Sequence, residues 1–104
     1  MGQVIERKIY DTETAKHLHG WDNGHMPGDL KYRSKDLYRT LRGRYFLHHV
    51  GGAMTDMAVS TGNNNYGGSE TLEVIDRETA IRFLESHGGS ETLIREFPDS
   101  VEEG

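Results

Sequence analysis

Six histidines are the first residues of this chain that could do chemistry, because imidazole binds transition metals and exchanges protons near neutral pH. Two pairs stand close together, His17 with His19 and His48 with His49. A shared ion needs ligands four residues apart on a helix or two apart on a strand, and adjacent strand residues face opposite sides of a sheet. We expect the first pair on a helix and the second on a strand, so neither spacing predicts a metal site. One further combination has no predictive spacing but stays open: His19, Asp22 and His25.

The sequence gives equally little evidence for other kinds of catalytic site. The absence of cysteine excludes thiolate nucleophiles and cysteine-ligated zinc or iron–sulfur sites. Ser69 lacks the paired flanking glycines of a nucleophile elbow, and the glycine-rich segment 60–69 lacks the Lys-Ser/Thr of a phosphate loop. We therefore predict a protein that is not an enzyme, with no catalytic residues, no metal and no cofactor.

The stretch 31–44, KYRSKDLYRTLRGR, is strongly basic, with six Lys or Arg against one acid and a net charge of +5. Guanidinium groups bind phosphates, and tyrosine rings can stack on bases, so this stretch could contact nucleic acid. The same residue types also dominate protein interfaces, and the tyrosines could instead pack in the core. The candidate binding residues are Lys35, Tyr38, Arg39, Arg42, Arg44 and Tyr45.

The last third of the chain is strongly acidic. Residues 70–104 hold ten acids against three arginines, a net charge of −7, and the whole chain carries −5. A solvated face that maintains solubility is the simplest explanation, but an acidic surface can also occupy a protein channel that normally binds phosphates. The basic and acidic stretches could meet in the fold, or each could face a partner. The candidate partner-binding acids are Glu85, Glu91, Asp99, Glu102 and Glu103.

Length and hydropathy predict one domain over residues 1–104, in which the acidic tail at about 98–104 is a candidate for disorder. No apolar run approaches the ~18 residues of a membrane span, and residues 1–10 lack the apolar core of a signal peptide. We therefore expect a cytoplasmic protein without membrane contact, either a monomer or a homodimer. Its expected partner is a protein, and direct nucleic-acid binding is the less favoured alternative.

A repeated phrase predicts how the elements are connected. An apolar strand end followed by Asp-x-Glu-Thr-Ala occurs at residues 9–15 and again at residues 74–80. Asp11 or Thr12, and later Asp76, are suited to cap a helix, with a glutamate where the helix dipole favours negative charge. Both copies thus predict a strand that leads into a helix, the first ending at Gly20 and the second before residues 88–89. Capping explains the repeat more simply than a duplicated active site does.

The remaining elements complete an α+β prediction. Residues 37–50 alternate around Gly43 and predict a hairpin, and residues 57–60 are a candidate short strand. Ser90 is a candidate cap for a last helix that runs to residue 97 with an ion pair between Glu91 and Arg95. The predicted order is β-α-β-β-(β)-β-α-α. We expect a small antiparallel sheet of three to five strands, with two or three short helices packed on one face.

These phrases resemble a family of small, mostly uncharacterised bacterial proteins that are frequent in mobile elements and prophages. The resemblance covers residues 8 to about 97 and implies no catalytic residues. It rests on Tyr10–Ala15, Leu37–Thr40 with Gly43, Tyr45–Leu47, the glycine pairs at 51–52 and 67–68, and Glu78–Ala80.

The resemblance implies a setting rather than an activity. Small acidic proteins of mobile elements are often inhibitors of host defence proteins, and anti-CRISPR proteins are examples. By this analogy we expect a non-enzymatic inhibitor of a host nucleic-acid-handling protein that acts through its charged surfaces. The alternative is a small nucleic-acid-binding or regulatory domain that uses the basic stretch 31–44.

Overall fold

The computed structural model describes all 104 residues, from Met1 to Gly104. Three antiparallel sheets are present: a two-stranded sheet β1–β2, a four-stranded sheet in the order β3-β4-β5-β8, and a two-stranded sheet β6–β7. Two α-helices and a 3₁₀ turn come after the last strand. The strands are β1 (Gly2–Ile5), β2 (Lys8–Asp11), β3 (Lys16–Asp22), β4 (Arg33–Arg39), β5 (Tyr45–Gly51), β6 (Val59–Gly62), β7 (Asn65–Gly67) and β8 (Ser69–Ile75). The helices are α1 (Arg77–Ser86) and α2 (Ser90–Glu96), and the 3₁₀ turn is Pro98–Ser100.

The predicted α+β class is therefore confirmed, and the predicted hairpin is the pair β4–β5. Its strands are joined by a turn in which Gly43 has a φ of +81°, a conformation that glycine adopts without steric cost. The sheet has four strands, but the complete chain has eight, because residues 1–11 and 59–67 each form a separate small hairpin. The candidate strand at 57–60 corresponds to β6, which begins two residues later.

Adjacent residues of β5 divide the buried side chains into two cores, because successive strand residues point to opposite faces. Leu47 faces the two helices, and Phe46 faces the β1–β2 hairpin. The molecule is consequently layered, with the four-stranded sheet between the helices and that hairpin.

The larger core lies between the sheet and the helices. Its most deeply buried side chains include Leu37 from the sheet, Leu84 from α1 and Phe97, each at most 1% exposed. Both helices pack on this one face, as predicted. Helix α1 presents buried residues at an i, i+3, i+4 spacing, and α2 contributes the buried Leu93. The complete cluster is Leu18, Leu37, Leu47, Ala80, Ile81, Phe83, Leu84, Leu93 and Phe97.

The smaller core attaches the β1–β2 hairpin to the opposite face of the sheet. Phe46 is fully buried, with the Tyr10 ring 5.6 Å away edge-on and the Tyr38 ring stacked at 5.2 Å. Leu72 of β8 completes the cluster. Aromatic contacts of this kind hold the hairpin in place, and they bring its turn close to the turn between β4 and β5.

The first copy of the repeated phrase does not form a helix, so that prediction was wrong. Asp11 does begin a helical turn: its side chain accepts a hydrogen bond from the Glu13 N–H, and its carbonyl accepts one from the Ala15 N–H. The chain then continues as β3 and pairs with β4 from Lys16 onward. Within residues 16–20, which were predicted to continue the helix, only Leu18 is buried, and this is too little apolar surface to hold a helix against the sheet.

The second copy forms the predicted helix. Asp76 is the N-cap of α1, and its carboxylate accepts a hydrogen bond of 2.8 Å from the Thr79 N–H. Here four apolar residues of the helix are buried, so the capped turn propagates into a ten-residue helix.

The Asp76 cap leads to a pH-dependent prediction. Hydrogen bonding from Thr79 lowers the pKa of Asp76 below its ordinary value, so the folded state favours the carboxylate. The stability from this cap is present above pH 3.8 and is lost as the pH falls through the lowered pKa. We expect Asp76→Ala to lower the thermal midpoint at pH 7, and we expect Asp76→Asn to lower it less because asparagine also caps helices. Equal midpoints for the two variants would contradict this role.

Details of the last helix differ from the prediction. The helix begins at Ser90, but the cap residue is Gly89 and no side chain caps it. Arg95 does not pair with Glu91; its Nε lies 3.6 Å from the Glu96 carboxylate instead. The helix ends before Pro98, as predicted, and residues 98–100 of the acidic tail form the 3₁₀ turn.

Candidate functional site: two surfaces of opposite charge

The two candidate tyrosines, Tyr38 and Tyr45, are half-buried, and each packs against one of the two cores. Tyr38 stacks on Phe46, and Tyr45 packs against Phe97 with ring centroids 5.4 Å apart. Burial, and secondarily the negative charge of Asp36, raises the pKa of Tyr38, which keeps its hydroxyl neutral. These contacts occupy part of each ring, so Tyr38 and Tyr45 contribute to the two cores as well as to the surface.

Two of the candidate basic residues are also engaged within the protein. Arg39 Nη1 lies 2.8 Å from a Glu96 carboxylate oxygen, and Lys35 Nζ lies 5.7 Å from the centroid of the Trp21 ring. Arg42 and Arg44, in contrast, are exposed at the β4–β5 turn and have no ion pair. Among the candidate residues, Arg42 and Arg44 therefore remain as free phosphate-seeking groups, and Lys31 of the same stretch is also exposed without an ion pair.

A cleft of about 820 Å³ separates the β4–β5 turn from the β1–β2 hairpin. Arg42 and Arg44 line one side of it, and Arg7 and Lys8 line the other. None of these four cations has a carboxylate within ion-pairing distance. Asp11 is the only acid in the lining. We call this feature the basic cleft.

Sequence reasoning missed half of the basic cleft. Arg7 and Lys8 stand more than thirty residues before Arg42, and an isolated Arg-Lys pair gives no binding signal by itself. The turn that carries them is also hard to recognise. Glu6 and Arg7 have φ of +50° and +66°, and these central positions of a two-residue hairpin loop are usually filled by asparagine, aspartate or glycine. The distant pairs meet because the hairpin packs on Phe46.

The predicted acidic residues are all exposed on or after the two helices. Glu85 lies on α1, Glu91 on α2, and Glu102 and Glu103 after the 3₁₀ turn, and none of the four has an ion pair. Asp99 differs, because its carboxylate lies 3.0 Å from Arg77 Nη2. We call these five residues the acidic surface.

The two oppositely charged stretches barely neutralise each other. Of all the ion pairs in the molecule, only Arg39–Glu96 joins a residue of 31–44 to a residue of 70–104. Glu96 also accepts Lys16 at 3.1 Å, so its side chain, only 6% exposed, balances two sheet cations. The acidic surface is associated with the helical layer and the basic cleft with the β1–β2 hairpin on the other side of the sheet. Their charge remains available on separate parts of the molecule.

The adjacent histidines of β5 face opposite sides of the sheet and have separate partners. His48 Nε2 lies 2.8 Å from Glu70, and His49 Nε2 lies 2.8 Å from Glu73. His49 Nδ1 also lies 2.9 Å from Arg33 Nη2, so the neutral ring accepts from Arg33 and donates to Glu73.

Arg33 connects this histidine to the loop after β5. Its Nε donates to Asp56 at 2.8 Å, and this hydrogen bond lowers the pKa of Asp56. Arg33 Nη1 donates to the backbone carbonyl of Ser34, so the guanidinium is satisfied on several sides. Hydrogen bonds among Asp56, Arg33, His49 and Glu73 thus connect the loop with β4, β5 and β8 and stabilise this face of the sheet.

His17 and His19 also have hydrogen-bond partners within the protein. His17 Nε2 lies 2.8 Å from Asp36 Oδ1, and His19 Nε2 lies 2.8 Å from the His87 carbonyl oxygen. A β-bulge between His17 and His19 directs them to different faces of β3. Nowhere in the structure do three or more His, Asp or Glu side chains come together so that they could hold a metal ion.

Comparisons of the chain with protein-family models, with curated proteins and with solved structures gave no match. Neither α1 nor α2 is long and apolar enough to cross a membrane.

Proposed function

We propose that this chain is a non-enzymatic binding protein of mobile-element type that inhibits a host nucleic-acid-handling protein, in the manner of anti-CRISPR proteins. One observation carries the proposal: the acidic surface keeps its charge although the chain contains a strongly basic stretch. If the acids served only to balance that stretch, several ion pairs would join the two. Only Arg39–Glu96 does so.

The acidic surface has the physical properties that such a role needs. Glu85, Glu91, Glu102 and Glu103 are exposed carboxylates without intramolecular partners, so a basic partner can bind them without first breaking an ion pair. Carboxylates on a rigid scaffold can replace phosphates in a channel lined by Lys and Arg. The resemblance to small proteins of mobile elements supports the same function by analogy.

Ile94 adds an apolar element to this side of the molecule. It lies on α2, three residues after Glu91, and is 60% exposed. A central apolar residue with charged neighbours is a common arrangement in protein interfaces, where the apolar contact contributes affinity and the charges contribute specificity and association rate.

Affinity capture tests the proposal. The protein is used as bait in nuclease-treated bacterial lysate and eluted with a salt gradient, beside the variant Glu85→Gln/Glu91→Gln/Glu102→Gln/Glu103→Gln. We expect the wild type to retain a nucleic-acid-binding protein that is released by salt and displaced by that protein's own nucleic acid. The quadruple variant is expected to lose at least ~10-fold of the retained protein.

The matched control is Arg42→Ala/Arg44→Ala, which changes charge on the other side of the sheet and should retain the same partner. Equal capture by the quadruple variant, or a partner that nucleic acid does not displace, would contradict the proposal. Capture that disappears on nuclease treatment and in the arginine variant would instead favour a nucleic-acid-binding domain that uses Arg42 and Arg44.

A further inference from the structure

We propose that the basic cleft binds a small phosphate ester of nucleotide size. The cleft lies on the opposite side of the sheet from the acidic surface, so this inference does not depend on the proposed inhibitor function. Its volume of about 820 Å³ falls in the range of small-molecule sites, which are ~300–1,000 Å³.

The charge of the cleft selects an anion. Four cations and one acid line it, a local net charge of +3 in a chain whose net charge is −5. The acid, Asp11, has one carboxylate oxygen engaged with the Glu13 N–H. A concave surface with cations on facing walls concentrates positive potential, and arginine matches phosphate in bidentate geometry. Arg7, Arg42 and Arg44 have no ion pair within the protein. A phosphate group bound between Arg7 and Arg42 or Arg44 would give them one.

Three hydroxyl-bearing residues, Tyr10, Thr14 and Thr40, also line the cleft and could form hydrogen bonds with a ligand larger than an inorganic ion. Tyr10 lines the cleft and is only 3% exposed, yet its hydroxyl makes no hydrogen bond within the protein. No fully buried side-chain polar atom of the molecule lacks a partner, so this hydroxyl is not completely enclosed. The Thr14 hydroxyl is likewise unpartnered, and the Thr40 hydroxyl only accepts a bond from the Arg44 N–H. Tyrosine hydroxyls in such a setting normally find a partner, which a polar ligand in the cleft would provide.

An apolar side chain in the cleft supports a ligand larger than phosphate. Leu41 lines the cleft beside Arg42 in the β4–β5 turn and is 92% exposed. Such a side chain can cover one face of a nucleobase or another ring. Cations for the phosphate, hydroxyls for a sugar and an apolar side chain for a ring together fit a nucleotide.

Isothermal titration calorimetry at low salt tests this assignment with three probes: adenosine triphosphate, inorganic tripolyphosphate and a single-stranded oligonucleotide. We expect the nucleotide to bind at one site per chain, and more tightly than tripolyphosphate because only the nucleotide uses Leu41. The affinity should decrease as salt increases. Equal binding of tripolyphosphate, binding of the oligonucleotide alone, or no binding of any probe would overturn the proposal.

Variants locate the binding. Arg42→Ala/Arg44→Ala is expected to lose at least ~10-fold in nucleotide affinity, and Arg7→Ala, on the facing wall, several-fold. Arg82→Ala is the matched control, because Arg82 is an exposed arginine on α1 without an ion pair and lies outside the cleft. All four side chains are exposed, so circular dichroism should show an unchanged fold. A control variant that weakens binding as much as the double variant would show non-specific charge attraction and overturn the site.

Discussion

Replacement of Phe46 by alanine is expected to lower the free energy of unfolding by about 3–5 kcal/mol, the usual cost of removing a buried phenyl ring. Phe46 is fully buried and contacts rings from two other strands, Tyr10 of β2 and Tyr38 of β4. The cavity left by alanine would lie where the β1–β2 hairpin meets the sheet. This hairpin has little other buried apolar surface, so it should detach before the remaining structure unfolds.

Urea unfolding monitored by tyrosine fluorescence and circular dichroism measures the loss, and hydrogen exchange measures the detachment. The matched control is Tyr66→Ala, which removes an aromatic ring that is 64% exposed on β7 and should change stability by less than ~0.5 kcal/mol. A loss below ~1 kcal/mol for Phe46→Ala would mean that the hairpin does not pack on the sheet as described.

Replacement of Glu96 by glutamine is expected to destabilise the protein by about 2 kcal/mol at pH 7, since it leaves Lys16 and Arg39 without their shared carboxylate. Arg39 and Lys16 are 34% and 55% exposed, so water partly compensates and the cost stays below that of a fully buried pair.

The same carboxylate should give the stability a characteristic pH dependence. Burial raises the pKa of Glu96, but the hydrogen bond from Lys16 and the charges of Arg39 and Lys16 outweigh it, and the net pKa is lowered. A lowered pKa contributes stability that is present above the ordinary value of 4.5 and is lost as the pH falls through the folded value. The difference between wild type and Glu96→Gln should therefore shrink below pH 4.5.

Chemical denaturation between pH 3 and pH 7 measures this dependence on both proteins. Glu91→Gln is the control, because Glu91 lies on the same helix, is exposed and has no ion pair. A constant difference between wild type and Glu96→Gln across that range would show that the carboxylate is not the titrating group.

The repeated Asp-x-Glu-Thr-Ala shows which structure the sequence could predict and which structure depended on tertiary contacts. In both copies the alanine N–H bonds to the aspartate carbonyl four residues earlier, so the phrase does begin a helical turn each time, although the predicted helix forms only in the second copy. The two copies diverge after that turn. Beyond Asp76 the chain offers an apolar face to the sheet, whereas beyond Asp11 it offers a strand-forming edge to β4. Local propensity could not weigh these contacts, which depend on residues far away in the chain.

The candidate surfaces were predictable to a similar extent. Net charge identified the acidic surface and the exposed arginines of the β4–β5 turn, because charged residues remain at the surface in almost any fold. It could not show that Tyr38 and Tyr45 would pack on opposite faces of one sheet, since alternation assigns faces only when both layers are known. It also could not show that Arg7 and Lys8 would face Arg42, which requires the packing of Tyr10 on Phe46.

The contacts between α2 and β3 determine when the chain can fold during its synthesis. Lys16 and Glu96 are 80 residues apart, and the Thr92 hydroxyl donates to the Leu18 carbonyl over 74 residues. The pairs β3–β4 and β4–β5 join neighbours in the sequence and can form while translation continues. The larger core, however, needs Leu93 and Phe97, which are translated after all eight strands. A nascent chain therefore exposes one face of its sheet until the ribosome has passed α2, and chaperones would meet the protein at this stage.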